Sequence, residues 1–130
     1  MSAPAHQKTV TAFCQAWEDL DIDAVLSYMS DDAVYHNVPL EPLVGQDQIR
    51  GFLTAFLGAA SSCTFEILTT VADEQRVVTE RLDSFSLGDN TLSELPVLGI
   101  FEFNAEGKIS HWREYFDLKT WADKGGPAIG

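Results

Sequence analysis

The spacing of apolar residues in this chain switches once, from helical to strand-like, and that switch limits the folds open to it. Over residues 6–20, Val10, Phe13, Cys14, Trp17 and Leu20 recur every three or four positions and so share one helical face. Asp21 and Asp23 offer capping chemistry to a shorter amphipathic stretch, in which Ile22, Val25, Leu26 and Met29 lie on a common side. Ser30, Asp31 and Asp32 break the pattern, 34–38 reads as a short strand ended by Pro39, and Pro42 and Gly45 continue as loop. A third helix is predicted from Gln46, with Ile49, Phe52, Leu53, Phe56 and Leu57 as its apolar stripe and Gly58 as its terminator. Beyond it, strands are predicted at 64–71, 77–87, 95–104 and 108–118. Helices followed by antiparallel strands make an α+β domain in which one curved sheet folds over the helices.

At 130 residues the chain is expected to form one domain spanning 1–130, with 1–6 and 124–130 as loosely held termini. Twenty acidic against eight basic side chains give a formal net charge of -12. That field repels phosphate backbones and anionic membrane surfaces, so neither nucleic acid nor membrane is an expected partner. Residues 1–7 lack the basic and apolar segments of a signal peptide, and no apolar run approaches the ~18 residues that span a bilayer, which points to a cytoplasmic protein. Cys14 and Cys63 show no metal-ligand or redox spacing and read as reduced, packed thiols. The histidines His6, His36 and His111 are scattered, and nucleotide-binding and serine-nucleophile motifs are missing, so no metal and no cofactor are expected.

The informative polar groups fall on strands. Val77, Thr79, Arg81, Asp83 and Phe85 alternate onto one side of the second long strand, and both of its faces are mixed. On the last strand Glu114 shares a face with Trp112, Phe116 and Leu118, a lone carboxylate among large apolar groups. Ionising it there is costly without a partner. Arg81 can grip two carboxylates with its guanidinium fork, so a buried cluster of Asp83, Arg81 and Glu114 is expected. Such a cluster drives two acids toward different protonation states, one a general base and the other a general acid. Spacing alone leaves open an ion-pair network that only ties strands together. Tyr35 and Asn37, at i and i+2, project from one side of their strand; they either hold a water with Glu114 or cap the loop at Pro39. The aromatic stripe of Phe13, Trp17, Phe52 and Phe56 is core first, with part of it free to line a pocket.

Three segments, Tyr35-His36-Asn37-Val38-Pro39-Leu40, Thr79-Glu80-Arg81-Leu82-Asp83 and Trp112-Arg113-Glu114-Tyr115-Phe116-Asp117, resemble those of the limonene epoxide hydrolase family. The order of elements likewise resembles the cone-shaped NTF2-like, or SnoaL-like, α+β superfamily, with a curved mixed sheet over three N-terminal helices. The resemblance implies one-step hydrolysis of a small, largely apolar epoxide to a vicinal diol, without metal or covalent intermediate, in a homodimer with a deep apolar pocket in each subunit. It implies that Asp83 protonates the epoxide oxygen, Arg81 bridges the two acids, Tyr35 and Asn37 orient the water, and Glu114 is its base. The family typically carries Asp where this chain has Glu114, and the added methylene moves the carboxylate by ~1.5 Å. Rival readings are an epoxide-opening cyclase, an isomerase resembling ketosteroid isomerase, and a non-catalytic small-ligand or dimerisation module on the same fold.

Overall fold

The computed structural model describes residues 1–128. Its elements run α1 (Ala3–Glu18), α2 (Ile22–Ser27), β1 (Met29–Asn37), β2 (Leu43–Val44), α3 (Gln46–Ala59), β3 (Ala60–Ala72), β4 (Arg76–Leu87), β5 (Asn90–Phe103), β6 (Ile109–Tyr115) and α4 (Leu118–Asp123). They form one six-stranded sheet in the order β2-β1-β6-β5-β4-β3. All neighbours are antiparallel except β1 and β6, which run parallel. Parallel neighbours require a long crossover, and here it carries α3 and the meander of β3, β4 and β5. The result is the mixed α+β architecture expected from the change of period, with the N-terminal helices on the inner face of a curved sheet.

The core is a set of aromatic rings in register across three strands. Trp112 on β6 pairs with Tyr35 on β1 and Phe101 on β5. Its indole stacks on both, at 4.3 Å and 8° to Tyr35 and 5.4 Å and 13° to Phe101. From α1, Phe13 and Trp17 meet Trp112 edge-on at 4.9 and 5.4 Å. These edge-to-face contacts fix the angle at which the helix lies on the sheet, because a ring presents its positive edge to its neighbour's negative face.

Several element boundaries differ from the sequence reading, each for a local reason. Residues 1–6 are not loose: α1 starts at Ala3, capped by the Ser2 side chain accepting from Ala5 N at 3.3 Å, and His6 is buried with its ring stacked 4.0 Å from Phe103. The turn-forming run at Ser30–Asp32, read as a break before a strand at 34–38, lies within β1, where a register irregularity between Met29 and Val34 absorbs it. Gln46 holds that irregularity by donating to the Leu26 and Met29 carbonyls at 3.1 Å each. The last strand stops at Tyr115, where Asp117 caps α4 by accepting from Thr120 N at 2.8 Å.

The tail is also held. Ser93 N donates to Lys124 O at 3.1 Å, Gly126 N to Trp121 O at 2.8 Å, and the Trp121 indole to Pro127 O at 2.7 Å. Of the 124–130 segment expected to be loose, 124–128 is therefore packed, and 129–130 lies outside the described residues. No helix among the described residues is long and apolar enough to cross a membrane.

Replacing Trp112 by Ala should cost about 3–5 kcal/mol, as for other buried large aromatics, because it removes the ring that joins three strands to α1. A denaturant titration followed by far-UV circular dichroism reads the loss as a lower midpoint.

Candidate active site

The buried face of β4 is the one that carries the charges. Val77, Thr79, Arg81, Asp83, Phe85 and Leu87 all point into the core, and Arg81 and Asp83 are only 1% and 4% exposed. Hydropathy could not choose between two mixed faces; the choice follows from pairing. A buried guanidinium requires acceptors for every N–H, and only this face supplies them. Nε donates to Asp83 Oδ1 at 3.0 Å and Nη2 to Asp83 Oδ2 at 2.9 Å. Nη2 also donates to Glu114 Oε1, and Nη1 to Glu114 Oε2 at 3.2 Å. The remaining Nη1 proton goes to Thr79 Oγ1 at 2.9 Å. All five N–H bonds are used. The guanidinium carbon also lies 4.6 Å from the centre of the Phe65 ring, which covers the cation with its negative face.

The clamp spans two strands, from β4 to β6, over β5 between them. Gly99 on β5 stands directly between Thr79 and Glu114 in the register. A Cβ there would overlap the Glu114 carboxylate and lie 2.5 Å from Arg81 Nη1. Glycine is therefore required for its missing side chain, to let the arginine pass over the strand. The sequence reading gave neither Gly99 nor Thr79 a role; Thr79 entered only as part of a motif segment and as a residue sharing a strand face with Arg81 and Asp83.

Tyr35 and Asn37 come to the same place. Asn37 is the β1 neighbour of Glu114, and the Tyr35 hydroxyl donates to Asn37 Oδ1 at 3.4 Å. The loop after them is closed by other groups: Val38 N donates to Glu114 O at 2.9 Å, Leu40 N to Asn37 O at 2.7 Å, and His36 Nε2 lies 2.9 Å from Leu40 O. The loop-capping alternative thus falls away, and both side chains face a cavity of about 280 Å³.

That cavity is lined by Tyr35, Asn37, Asp83 and Glu114 within an otherwise apolar wall that includes Trp17, Phe52, Phe56 and Phe85. Of the aromatic stripe, Phe13 stays in the core. Arg81 does not reach the cavity; it sits behind the acids and holds them. Phe116, Trp121 and Pro127 complete the wall, a contribution hidden from strand and helix periodicity because it comes from the chain after β6.

The electrostatics follow from burial. Desolvation pushes Glu114 up to about 7, against the opposing pull of Arg81, and raises Asp83 in the same way. One cation and two carboxylates in a dry site are neutral only when one acid keeps its proton. The pair is thus suited to hold one proton between its two carboxyls near neutral pH. Burial, with the Glu114 charge acting in the same direction, raises Tyr35 and keeps it a phenol that can donate. Burial also pushes the Cys14 thiol up to about 12 and raises Cys63, so both thiols stay protonated.

Comparison with known proteins places the chain as a whole. The model of the limonene-1,2-epoxide hydrolase catalytic domain matches residues 4–124. This chain belongs to that family. It is 33% identical over 109 residues to the epoxide hydrolase EphG of Mycobacterium tuberculosis, covering 84% of this chain and 71% of EphG. The structure of an LEH-like epoxide hydrolase from M. tuberculosis superimposes with a TM-score of 0.83 at 30% identity, over 94% of this chain and 90% of that one. A putative SnoaL-like polyketide cyclase from Shewanella denitrificans shares the fold, with a TM-score of 0.84 at 15% identity over 93% and 96% of the two chains.

Thr79→Val should leave one Arg81 N–H buried without an acceptor, at a cost of about 1–3 kcal/mol, while Thr79→Ser restores the acceptor and most of the stability. Gly99→Ala should be worse than either, because no small movement clears both Glu114 and Arg81. Thermal melts of the three variants give the order directly.

Proposed function

We propose that this protein is an epoxide hydrolase that opens a small, largely apolar epoxide to a vicinal diol by direct attack of water. The observation that carries the reading is that two acids joined by one saturated guanidinium open into an apolar cavity beside a phenol and a carboxamide whose one bond among the described residues is to each other. A non-catalytic binder gains nothing from two such buried acids, whose burial is costly.

In the proposed step, Tyr35, Asn37 and Glu114 hold the water on the β1–β6 side of the cavity. Its oxygen forms the new C–O bond as Glu114 takes one of its protons. The carbon–oxygen bond of the ring breaks, and Asp83, reaching the cavity from β4, gives its proton to the leaving oxygen. Glu114 then carries the proton that Asp83 has lost, and exchange within the cluster or with solvent resets the pair. Proton transfer at both ends keeps the net charge of the buried cluster constant throughout, so no charge has to be solvated in a dry cavity. Arg81 is a positioning residue here. The role assignment rests on the family resemblance and on the sheet register that puts Asn37, and hence the water, beside Glu114 rather than Asp83.

The cavity of about 280 Å³ lies at the small end of ligand pockets, which commonly measure ~300–1,000 Å³. Its flat aromatic walls suit a ring or a compact branched substituent. A homodimer is part of the same proposal. Leu98 and Tyr115 are neighbours on the outer face of the sheet and each is 43% exposed, an apolar pair suited to a second copy. Sedimentation at micromolar concentration should show a dimer, which Tyr115→Glu should weaken; a 14.3 kDa species in the parent protein would reject that part.

Hydrolysis in heavy-oxygen water should place one label in the diol, whereas an unlabelled cyclic ether or ketone would point to a cyclase or isomerase. Asp83→Asn and Glu114→Gln should each lower turnover by at least 100-fold while keeping the fold. Because Glu114 must be ionised to act, kcat/KM should fall as pH drops through about 7. Stability has the opposite sign: a carboxyl whose folded value is raised favours folding at low pH, and that contribution is lost as pH rises through about 7. Glu114→Gln should remove this part of the stability profile between the ordinary 4.5 and about 7, and an unchanged profile would contradict the assigned burial.

A further inference from the structure

A second apolar cavity, of about 290 Å³, is lined by Phe52, Ala55, Phe56, Ala59, Leu87 and Pro127. Three of these residues, Phe52, Phe56 and Pro127, also line the active-site cavity. The two spaces therefore lie on either side of a shared wall, and Pro127 is its one member that belongs to neither a helix nor a strand. Resting on the hydrolase reading above, we propose that this second cavity is a subsite for the hydrocarbon chain of longer epoxides, entered when Pro127 swings aside.

The wall is built to be held by a few specific contacts. Trp121 buries its ring and spends its only N–H on Pro127 O at 2.7 Å. Gly125 has φ +100°, and a Cβ there would overlap Thr91 O; a Cβ on Gly126 would overlap the Trp121 ring. The chain can thus fold back over Trp121 only with glycine at both positions. Lys124 O, accepting from Ser93 N, ties the turn to β5. Releasing Pro127 breaks one side-chain hydrogen bond, a modest cost set against a gain that grows with each methylene buried. Pro127 and Ala128 lie beyond residues 4–124, the part matched by the family model.

The occupant is hydrocarbon because the lining offers nothing else. All six residues are apolar, and the space is continuous in lining with the site where the epoxide would react. Ala55 and Ala59 are exposed, so the far end opens to solvent and sets no sharp limit on chain length.

The test compares kcat/KM for 1,2-epoxyalkanes of increasing length in the parent protein, in Trp121→Phe, which keeps the ring but frees Pro127, and in Ala55→Trp, which fills the second cavity from an exposed helix position. Each methylene that enters should raise kcat/KM by up to about fourfold. The rise should extend further along the series in Trp121→Phe and stop early in Ala55→Trp. A length dependence unchanged by Ala55→Trp, or cut equally for all substrates by both variants, would overturn the subsite. Gly126→Ala provides a second release variant if Trp121→Phe fails to fold by circular dichroism. Calorimetric binding of the matching 1,2-diols reads the same length dependence without turnover. Absence of epoxide hydrolysis would therefore count against the hydrolase reading, while the diols alone would decide the subsite.

Discussion

Everything at the centre of this molecule depends on one guanidinium having no N–H to spare. Arg81 is buried because Asp83, Glu114 and Thr79 together accept all five of its protons. The carboxyls are tolerated in an apolar interior because the cation is there. Removing any one of the four leaves a charge or a donor without a partner, and a buried unpaired group costs more than the pair contributes. The cluster also joins β4 to β6 across β5, so the polar site is part of what sets the curvature and closeness of these strands at Gly99. Function and architecture share the same bonds.

The same clamp gives the two acids the unequal protonation that the proposed chemistry needs. A single cation cannot neutralise two carboxylates, and the dry surroundings penalise the surplus charge. The outcome is a site that prefers to hold one proton between two acids near neutral pH, with Glu114 raised to about 7. An arginine exposed to the cavity would compete for substrate and water. Arg81 is walled off instead, under Phe65, and acts only through the groups it holds.

Much of this was legible in the sequence, and the parts that were not share a cause. The three motif segments point to Tyr35, Asn37, Arg81, Asp83 and Glu114, and strand alternation put Tyr35 with Asn37, and Arg81 with Asp83, on shared faces. Alternation could not say which face of β4 is inside, because that is decided by long-range pairing with Glu114 and not by the hydropathy of β4 itself. Thr79 and Gly99 were silent for a related reason: their roles exist only once β4, β5 and β6 are in register. The tail misled in the other direction. Two glycines and a proline near a chain end are the usual signs of a loose terminus, yet here the glycines permit a fold-back that no bulkier residue could make, and Trp121 holds it.

The resemblance sets Glu114 against an Asp, and the clamp shows what the longer side chain touches here. Both carboxylate oxygens of Glu114 remain on Arg81, so the longer side chain does not disturb the charge balance on which the acid–base pair depends. The backbone of Asn37 is fixed beside Glu114 by strand pairing, and Tyr35 is fixed by its stack on Trp112. With the frame held on both sides, the added methylene can only move the carboxylate relative to the water and the reacting carbon. In the proposed mechanism, where rates respond steeply to displacements near 1 Å, that movement bears on the geometry of the water's attack. The proton balance on which the proposed ring opening depends stays as the arginine sets it.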